Sequence, residues 1–176
     1  MTASNPFNPP RLWLNTSAGG PQVRLFRRAF DLSAAPSRAI LRLYAEGNYH
    51  LWINGEHLGR GPIFHHPHRL PVTSYDLAAC LRAGGNVIAV LVAAPGEAFH
   101  NYIPTGGPGL AAELVCETAG GETVTIATDE AWRVTAATGW RSDVPRRSWA
   151  IDHVEVFHAA DGPDGWQGVD YDDRDW

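Results

Sequence analysis

Long apolar runs and cysteines are both scarce in this sequence. No apolar stretch reaches the roughly 18 residues that a membrane-spanning helix requires, so the sequence predicts no helical membrane span. The two cysteines, Cys80 and Cys116, lie among apolar residues; we expect buried thiols rather than a disulfide, which leaves the redox compartment open. Residues 1–10 contain no cationic stretch followed by an apolar core, so no signal peptide is predicted there and the localisation stays unknown.

Clusters of positive charge are also missing. Fourteen basic and nineteen acidic residues give a net charge of −5, and no basic run is longer than a pair of arginines. Proteins that bind a phosphate backbone depend on clustered cations. The charge pattern therefore argues against nucleic acid as a partner, and no membrane partner is predicted.

Glycine, proline and tryptophan are abundant instead. The 176 residues include 18 glycines, 13 prolines and seven tryptophans, and many turns combined with large aromatic side chains are typical of an all-β domain. A chain of this length fits one domain. It buries about 70% of its unfolded surface, so it needs no disulfide or metal to fold.

The clearest local signal is a β-hairpin over residues 47–62. Apolar residues occur at every second position from Tyr49 to Ile53, the period of a strand with one buried face. Asn54 and Gly55 then supply the two positive φ angles that a type I′ turn requires. The rest of the chain is predicted to pack around this hairpin.

Further strands are separated by turn signals along the chain. We predict them at residues 11–14, 22–32, 39–45, 70–75, 86–94, 110–117, 123–128, 133–136 and 154–157, with an irregular segment over 138–149. Segment 86–94 is apolar on both faces and too short for a typical helix, which predicts the central buried strand. Asp76 is expected to cap a single helical turn over 76–81. The predicted fold class is all-β, an antiparallel β-sandwich or jelly roll with at most short helical turns.

Several sequence blocks occur in the order found in one known family. They lie at residues 26–30 (FRRAF), 45–55 (AEGNYHLWING), 59–62, 75–77, 81–90, 128–132 and 154–159, followed by Trp166 and the closing block 171–176 (YDDRDW). This series resembles the N-terminal β-sandwich region of bacterial α-L-rhamnosidases. It is also similar to the jelly roll in front of β-galactosidase- and β-glucuronidase-type enzymes. The resemblance implies a galactose-binding-like jelly roll rather than a catalytic domain.

The resemblance also implies how this chain relates to a longer protein. In that family, acidic residues of an (α/α)₆ barrel further along the chain carry the chemistry, and no such helical region is predicted here. We therefore expect an accessory domain that packs against the catalytic domain of the same parent chain. The expected division is a flexible lead-in at 1–11, the β-sandwich at 12–160, and a tail at 161–176 that is the truncated start of the next element.

Carboxylate pairs carry out glycoside hydrolysis, which needs two carboxyl groups roughly 5 to 9.5 Å apart across the bond. Asp172-Asp173 and the pair Asp161/Asp164 lie in flexible, Gly- and Pro-rich sequence that does not hold them in opposition. We interpret these acids as turn residues that accept backbone N–H bonds, and we predict no catalytic residue. A self-contained hydrolase is the least favoured alternative.

Histidines and one long loop raise the question of a metal. His65, His66 and His68 lack the helix or knuckle spacing of a zinc site, so we expect a solvated loop that helps to line a polar groove. In related rhamnose-binding modules, the loop after the central strand contributes to a sugar site, in some cases with calcium. Here residues 94–99 read APGEAF in place of a Gly-Asp-Gly-Trp-Tyr pattern, which argues against an inherited sugar or calcium site. Calcium stays an open alternative, and no other cofactor is predicted.

The candidate carbohydrate contacts are polar and aromatic residues of the hairpin and the loops. Most of the seven tryptophans are expected in the core or between domains, because burying one ring removes about 150–250 Å² from water. Trp52 is the expected exception, since it alternates with the apolar residues of its strand. The full candidate set is Asn48, Trp52, His65, Glu97, His100, Asn101 and Tyr102. The alternative is a purely structural spacer or subunit-interaction sandwich without a ligand, which predicts an exposed apolar patch.

Overall fold

Two antiparallel sheets stack face to face in the described part of the chain. The computed structural model describes residues 7–15, 20–62, 69–104, 107–118 and 120–176. The strands are β1 (Gln22–Leu32), β2 (Pro36–Glu46), β3 (Asn48–Ile53), β4 (Glu56–Gly61), β5 (Thr73–Asp76), β6 (Gly84–Ala94), β7 (Gly109–Thr118), β8 (Thr123–Ala127), β9 (Arg133–Ala136), β10 (Arg146–Ser148) and β11 (Ile151–His153). The described helical structure is one 3₁₀ turn at Ala159–Asp161.

The sheet order confirms the predicted antiparallel β-sandwich. The five-stranded sheet has the order β4-β3-β6-β1-β9, the four-stranded sheet has the order β5-β2-β7-β8, and β10 pairs with β11 as a separate hairpin. Each of these pairings is antiparallel. No helix in the described residues has the length and apolarity needed to cross a membrane.

The main core lies between the two sheets. Alternate side chains of the strands point inward, and Phe26, Leu41, Leu51 and Leu114 are fully buried there. Burial at about 25 cal/mol per Å² of apolar surface is the dominant favourable contribution to such a fold. The apolar period of two in the sequence is therefore the feature that sets the register of the sheets.

Strand β6 lies at the centre of the five-stranded sheet, as its sequence predicted. One face of the strand, including Ile88 and Val90, enters the main core. The other face, including Ala89 and Leu91, lies under the C-terminal part of the chain in a second apolar cluster. Both faces are covered, which explains why the strand is apolar at successive positions.

A buried arginine holds the C-terminal segment on this outer face. Arg27 is 1% exposed, and its Nε–H donates to Asp173 Oδ2 at 2.9 Å. Its guanidinium also donates to the backbone oxygens of Trp166, Gly168 and Tyr171 and lies 5.1 Å from the centre of the Tyr171 ring. Residues 166–173 are thus bound to β1 by one side chain.

The β-hairpin predicted over residues 47–62 is confirmed. Asn54 and Gly55 have φ angles of 52° and 91°, the positive values that a type I′ turn requires. The Asn54 side chain adds longer-range bonds, because its Oδ1 accepts from the backbone N–H of Val87 at 2.8 Å. This turn therefore fixes both the hairpin and its position beside β6.

The strand predicted at 154–157 is wrong. The backbone N–H of Arg141 donates to the Val156 oxygen at 3.0 Å, and a single bridge joins Trp140 to Phe157. The last strand pair is β10 with β11, which lies partly inside the segment predicted to be irregular. The alternation of apolar residues at 154–157 is typical of a strand, but this segment runs beside a loop and has no neighbouring strand with which to pair.

The first of two short predicted elements is smaller than predicted, because residues 11–14 contribute one bridge, Leu12 with Leu110, instead of an edge strand. The single turn predicted after Asp76 is present. Asp76 Oδ1 accepts from the backbone N–H of Ala78 at 3.0 Å, and the backbone N–H of Leu81 donates to the Leu77 oxygen at 3.1 Å.

The predicted domain boundaries stay predictions. Residues 1–6 of the predicted lead-in lie outside the described residues. The described end of the lead-in contacts the four-stranded sheet side of the fold, where the hydroxyl of Thr128 donates to the Pro10 oxygen at 2.5 Å. At the other end, residues 166–173 lie on the five-stranded sheet.

Candidate functional site

Two adjoining cavities open at one end of the sandwich, where β3 begins and β6 ends. The large cavity has a volume of about 440 Å³, and the small cavity has a volume of about 230 Å³. Asn48, Pro95, Ile151 and Asp152 line both of them. The two cavities are therefore neighbouring parts of one cleft.

The turn between β2 and β3 places Asn48 in this cleft. Gly47 has a φ of 113°, and a Cβ at this position would lie 2.3 Å from the backbone oxygen of Ala93 in β6. Glycine is required here because it alone combines this φ with so close an approach. The approach leaves Asn48, the first residue of β3, paired with Ala93 and in the wall of both cavities.

Tyr102 is fixed in the small cavity by a buried carboxylate. Its hydroxyl donates to Glu46 Oε1 at 2.8 Å, and the hydroxyl of Tyr44 donates to the other oxygen of the same carboxylate. Glu46 is fully buried, so these bonds replace the water that a carboxylate otherwise binds. Burial and then the bond to Glu46 raise the pKa of Tyr102, so its hydroxyl stays protonated and donating.

The β10–β11 hairpin supplies another wall of the cleft, and Glu97 holds it in place. Glu97 Oε1 lies 2.9 Å from Nη2 of Arg146 and 3.3 Å from Nε2 of His153. Arg146 also donates to the backbone oxygen of Ala98 at 3.1 Å. The carboxylate of Glu97, predicted as a carbohydrate contact, is thus engaged within the protein and supports the cleft.

The tip of this hairpin carries an exposed tryptophan. Trp149 is 71% exposed, and its ring meets the ring of His100 edge-on with 4.6 Å between centroids. The sequence analysis expected most of the seven tryptophans in the core or between domains, without singling out Trp149. The exposure of this ring depends on a short hairpin that the sequence did not predict.

Trp52 lies apart from the cleft, on the outer face of the five-stranded sheet. Its ring stacks with His50 at 5.8 Å between centroids and meets Trp166 edge-on at 5.3 Å. These residues bound a third cavity of about 310 Å³ with mostly apolar walls. Burial, and then the neighbouring His57 and Arg60, lower the pKa of His50.

Most of the predicted contact residues gather at the small cavity. The five that line it or lie beside it are Asn48, Glu97, His100, Asn101 and Tyr102. Trp52 is on a different surface, and His65 lies outside the described residues. A role for any of them in carbohydrate binding stays a prediction.

Two of the four acidic residues considered for catalysis, Asp172 and Asp173, are paired with arginines. Arg174 Nε donates to Asp172 at 2.8 Å and lowers the pKa of that carboxyl group to about 2. Asp173 accepts from Arg27, as described above. The Asp172 carboxylate therefore accepts hydrogen bonds within the C-terminal segment, and the Asp173 carboxylate accepts one from strand β1.

The described residues contain no cluster of acidic side chains placed for a calcium ion. Calcium takes six to eight oxygen ligands around one point. Among the residues that the structure describes, no group of three or more His, Cys, Asp or Glu side chains is placed to hold a metal ion. In the loop after β6, the carboxylate of Glu97 is paired with Arg146 and His153.

Stacked antiparallel sheets with a loop-lined cleft at one end define a β-sandwich domain of the jelly-roll class. The family model described as the alpha-L-rhamnosidase N-terminal domain matches residues 34–176. The chain belongs to this family. The resemblance that the ordered sequence blocks predicted is confirmed.

Curated and solved relatives carry the same family name. The chain is 31% identical over 150 residues to an α-L-rhamnosidase of Streptomyces avermitilis. This alignment covers 80% of this chain and 14% of the relative. It is 26% identical over 161 residues to one of Formosa agariphila, covering 85% of this chain and 17% of the relative. The crystal structure of a GH78 family rhamnosidase of Bacillus sp. GL1 superimposes with a TM-score of 0.84 at 34% identity, over 94% of this chain and 17% of that one. The chain thus spans 14% and 17% of the length of the two curated relatives.

Proposed function

We propose that this chain is a non-catalytic accessory domain of an α-L-rhamnosidase-like glycoside hydrolase. It packs against the catalytic domain of the same parent chain and binds carbohydrate weakly in the small cavity. The parent enzyme supplies the catalytic acids from residues outside this sequence.

The family match over residues 34–176 carries this proposal, because it includes every described strand from β2 to β11. The matched relatives are named α-L-rhamnosidases, and this chain corresponds to a small part of each. The pairing of Asp172 with Arg174 and of Asp173 with Arg27 also supports a non-catalytic role, since a glycosidase carboxylate must face the substrate.

The small cavity supports the carbohydrate part of the proposal. Asn48 and Asn101 line it, and an amide side chain both donates and accepts hydrogen bonds, as a sugar hydroxyl does. Its volume of about 230 Å³ is below the about 300 Å³ at which pockets for drug-sized ligands begin, so it takes a single sugar unit. Such a small contact area favours a millimolar dissociation constant, equivalent to about −4 kcal/mol.

Calorimetric titration of the 176-residue chain with L-rhamnose and with D-galactose tests the binding. We expect saturable heat from at least one sugar, and we expect Asn48→Ala or Asn101→Ala to weaken it. Asn8→Ala is the matched control, because Asn8 is exposed and its neighbour Phe7 packs near Arg42 on the other sheet. No heat at concentrations on the order of tens of millimolar would remove carbohydrate binding from the proposal.

A purely structural spacer or subunit-contact domain is the second candidate. Exposed apolar side chains favour it, in particular Trp149, Ile151 and Phe157. Cross-linking within the intact parent enzyme tests it, because a spacer without a ligand predicts contacts to other domains at these residues and no sugar binding. Turnover of an aryl rhamnoside by the 176 residues alone would contradict both candidates.

A further inference from the structure

We propose that Trp149 forms a second sugar subsite, a stacking platform at the rim of the small cavity. It takes the sugar unit that follows the one held inside the cavity, so the ligand class is an oligosaccharide of at least two units. This inference rests on the proposed function and extends it to a residue on the β10–β11 hairpin.

The exposure of Trp149 is the first observation. An indole ring is the largest apolar side-chain surface, yet Trp149 leaves 71% of its surface exposed to solvent. The face of an aromatic ring carries negative potential, which attracts the positively polarised C–H groups on the apolar face of a pyranose. Contact of this exposed ring with the apolar face of a sugar is therefore more favourable than its contact with water.

The position of Trp149 is the second observation. Its sequence neighbours Ala150 and Ile151 line the small cavity. Its contact partner His100 lies between Phe99 and Asn101, which line the same cavity. Residues next to Trp149 in sequence, and residues next to its contact partner His100, therefore line the cavity, and on this basis we place the indole beside it.

The rigidity of the hairpin is the third observation. The backbone N–H of His100 donates to the Trp149 oxygen at 3.4 Å, and the His100 ring lies against the indole. At the base of the hairpin, the carboxylate of Glu97 binds both Arg146 and His153. A ring that is held before binding loses little conformational freedom when a ligand arrives.

Volume determines which sugar unit reaches the indole. The small cavity of about 230 Å³ holds one unit, so a linked second unit must leave it at the rim. Ala150 and Ile151, which follow Trp149 in sequence, line the cavity, so we place the indole at that rim. Trp149 therefore distinguishes a disaccharide from a monosaccharide, while Asn48 and Asn101 contact the first unit of either ligand.

Calorimetry with L-rhamnose and with rutinose, a disaccharide that ends in L-rhamnose, tests the subsite. We expect rutinose to bind about three- to tenfold more tightly than L-rhamnose. Trp149→Ala should remove that advantage and leave the affinity for L-rhamnose unchanged, and Trp149→Phe should retain most of it. Phe157→Ala is the matched control, because Phe157 is 54% exposed and lines the third cavity instead.

The outcomes separate this inference from the proposed function. If L-rhamnose binds and rutinose binds no more tightly, the subsite is wrong and the cavity proposal stands. If Trp149→Ala leaves the rutinose advantage intact, or weakens both sugars equally, the indole has another role and the subsite is also wrong. If the wild-type chain binds neither L-rhamnose nor rutinose, the subsite is wrong, and the carbohydrate proposal itself fails only if D-galactose also gives no heat.

Discussion

At the scale of single residues, Arg27 joins the first strand to the C-terminal segment. Its side chain is almost fully buried and bonds to one carboxylate and three backbone oxygens. We expect Arg27→Ala to lower the free energy of unfolding by about 3 kcal/mol, because it leaves Asp173 and the carbonyl groups without their donor. Urea denaturation of the variant measures this loss.

An exposed ion pair provides the control for Arg27. Arg38 lies 2.8 Å from Glu117, and their side chains are 65% and 45% exposed. Arg38→Ala should therefore cost less than about 1 kcal/mol. Equal losses in Arg27→Ala and Arg38→Ala would mean that burial adds nothing to the Arg27 contacts.

Buried tyrosines predict how stability depends on pH. Burial and then hydrogen bonds raise the pKa of Tyr102, bonded to Glu46, and of Tyr75, bonded to Tyr49. The folded chain therefore keeps these protons above pH about 10, where the unfolded chain releases them. Their contribution to stability is complete below that pH and is lost as the pH rises further.

The Tyr102→Phe variant isolates part of this effect. At pH 8 it should be less stable than the wild type by about 1–3 kcal/mol, because Glu46 loses a donor. Above pH 10 its unfolding free energy should fall less steeply with pH, since one titrating hydroxyl is gone. Cys116, whose pKa burial also raises, contributes equally to both proteins. Parallel pH profiles for the two proteins would contradict the assignment to Tyr102.

The sequence predicted residues that the structure brings close together, and their role in carbohydrate binding stays a prediction. Asn48, Asn101 and Tyr102 were predicted from polar loops, and they meet in one cavity because the loops converge at one end of the sandwich. The ion pairs of Glu97 with Arg146 and His153 were not predicted, because these partners are about 50 residues away in sequence. Long-range pairs of this kind leave no local pattern.

At the scale of elements, the turn before β3 depends on Gly47. A Cβ there would meet the Ala93 oxygen at 2.3 Å, and its φ is 113°. Gly107 has a nearly equal φ of 111°, and a Cβ there would meet nothing within 4 Å. We expect Gly107→Ala to cost about 1 kcal/mol, the strain of the backbone alone, and Gly47→Ala to cost at least twice as much. Denaturant unfolding of both variants measures their losses of unfolding free energy, and the difference between them reports the clash with Ala93. Similar losses in the two variants would contradict this clash.

Elements with local signals were predicted well. The period of two in β3 and the Asn54-Gly55 turn are fixed by residues that are close in sequence. The segment at 154–157 shows the limit of this reasoning, because two valines in alternation have no strand to pair with. A strand exists only where a neighbouring backbone accepts its hydrogen bonds, and the sequence pattern of one segment does not reveal that neighbour.

At the scale of the whole molecule, the five-stranded sheet is covered on both sides. Its inner face packs on the four-stranded sheet, and its outer face packs on the C-terminal segment through Trp166, which is 6% exposed. The sequence assigned 161–176 to the start of the next element. The contacts of Arg27 and Trp166 suggest instead that this segment stabilises the sandwich itself.

Deleting residues 161–176 decides between these two assignments. We expect the shortened chain to expose Trp52, Leu25 and Leu91, to bind a hydrophobic dye and to unfold at lower urea concentration, because the covering ring and the partners of Arg27 are gone. Trp166→Phe in the full chain is the control, since it keeps the covering segment and removes only part of one ring. Dye fluorescence measures the exposed apolar surface, urea denaturation measures the unfolding midpoint, and gel filtration shows whether the shortened chain stays monomeric. A shortened chain that stays monomeric, binds no dye and keeps its unfolding midpoint would show that 161–176 is not part of the sandwich, and the boundary at residue 160 would then stand.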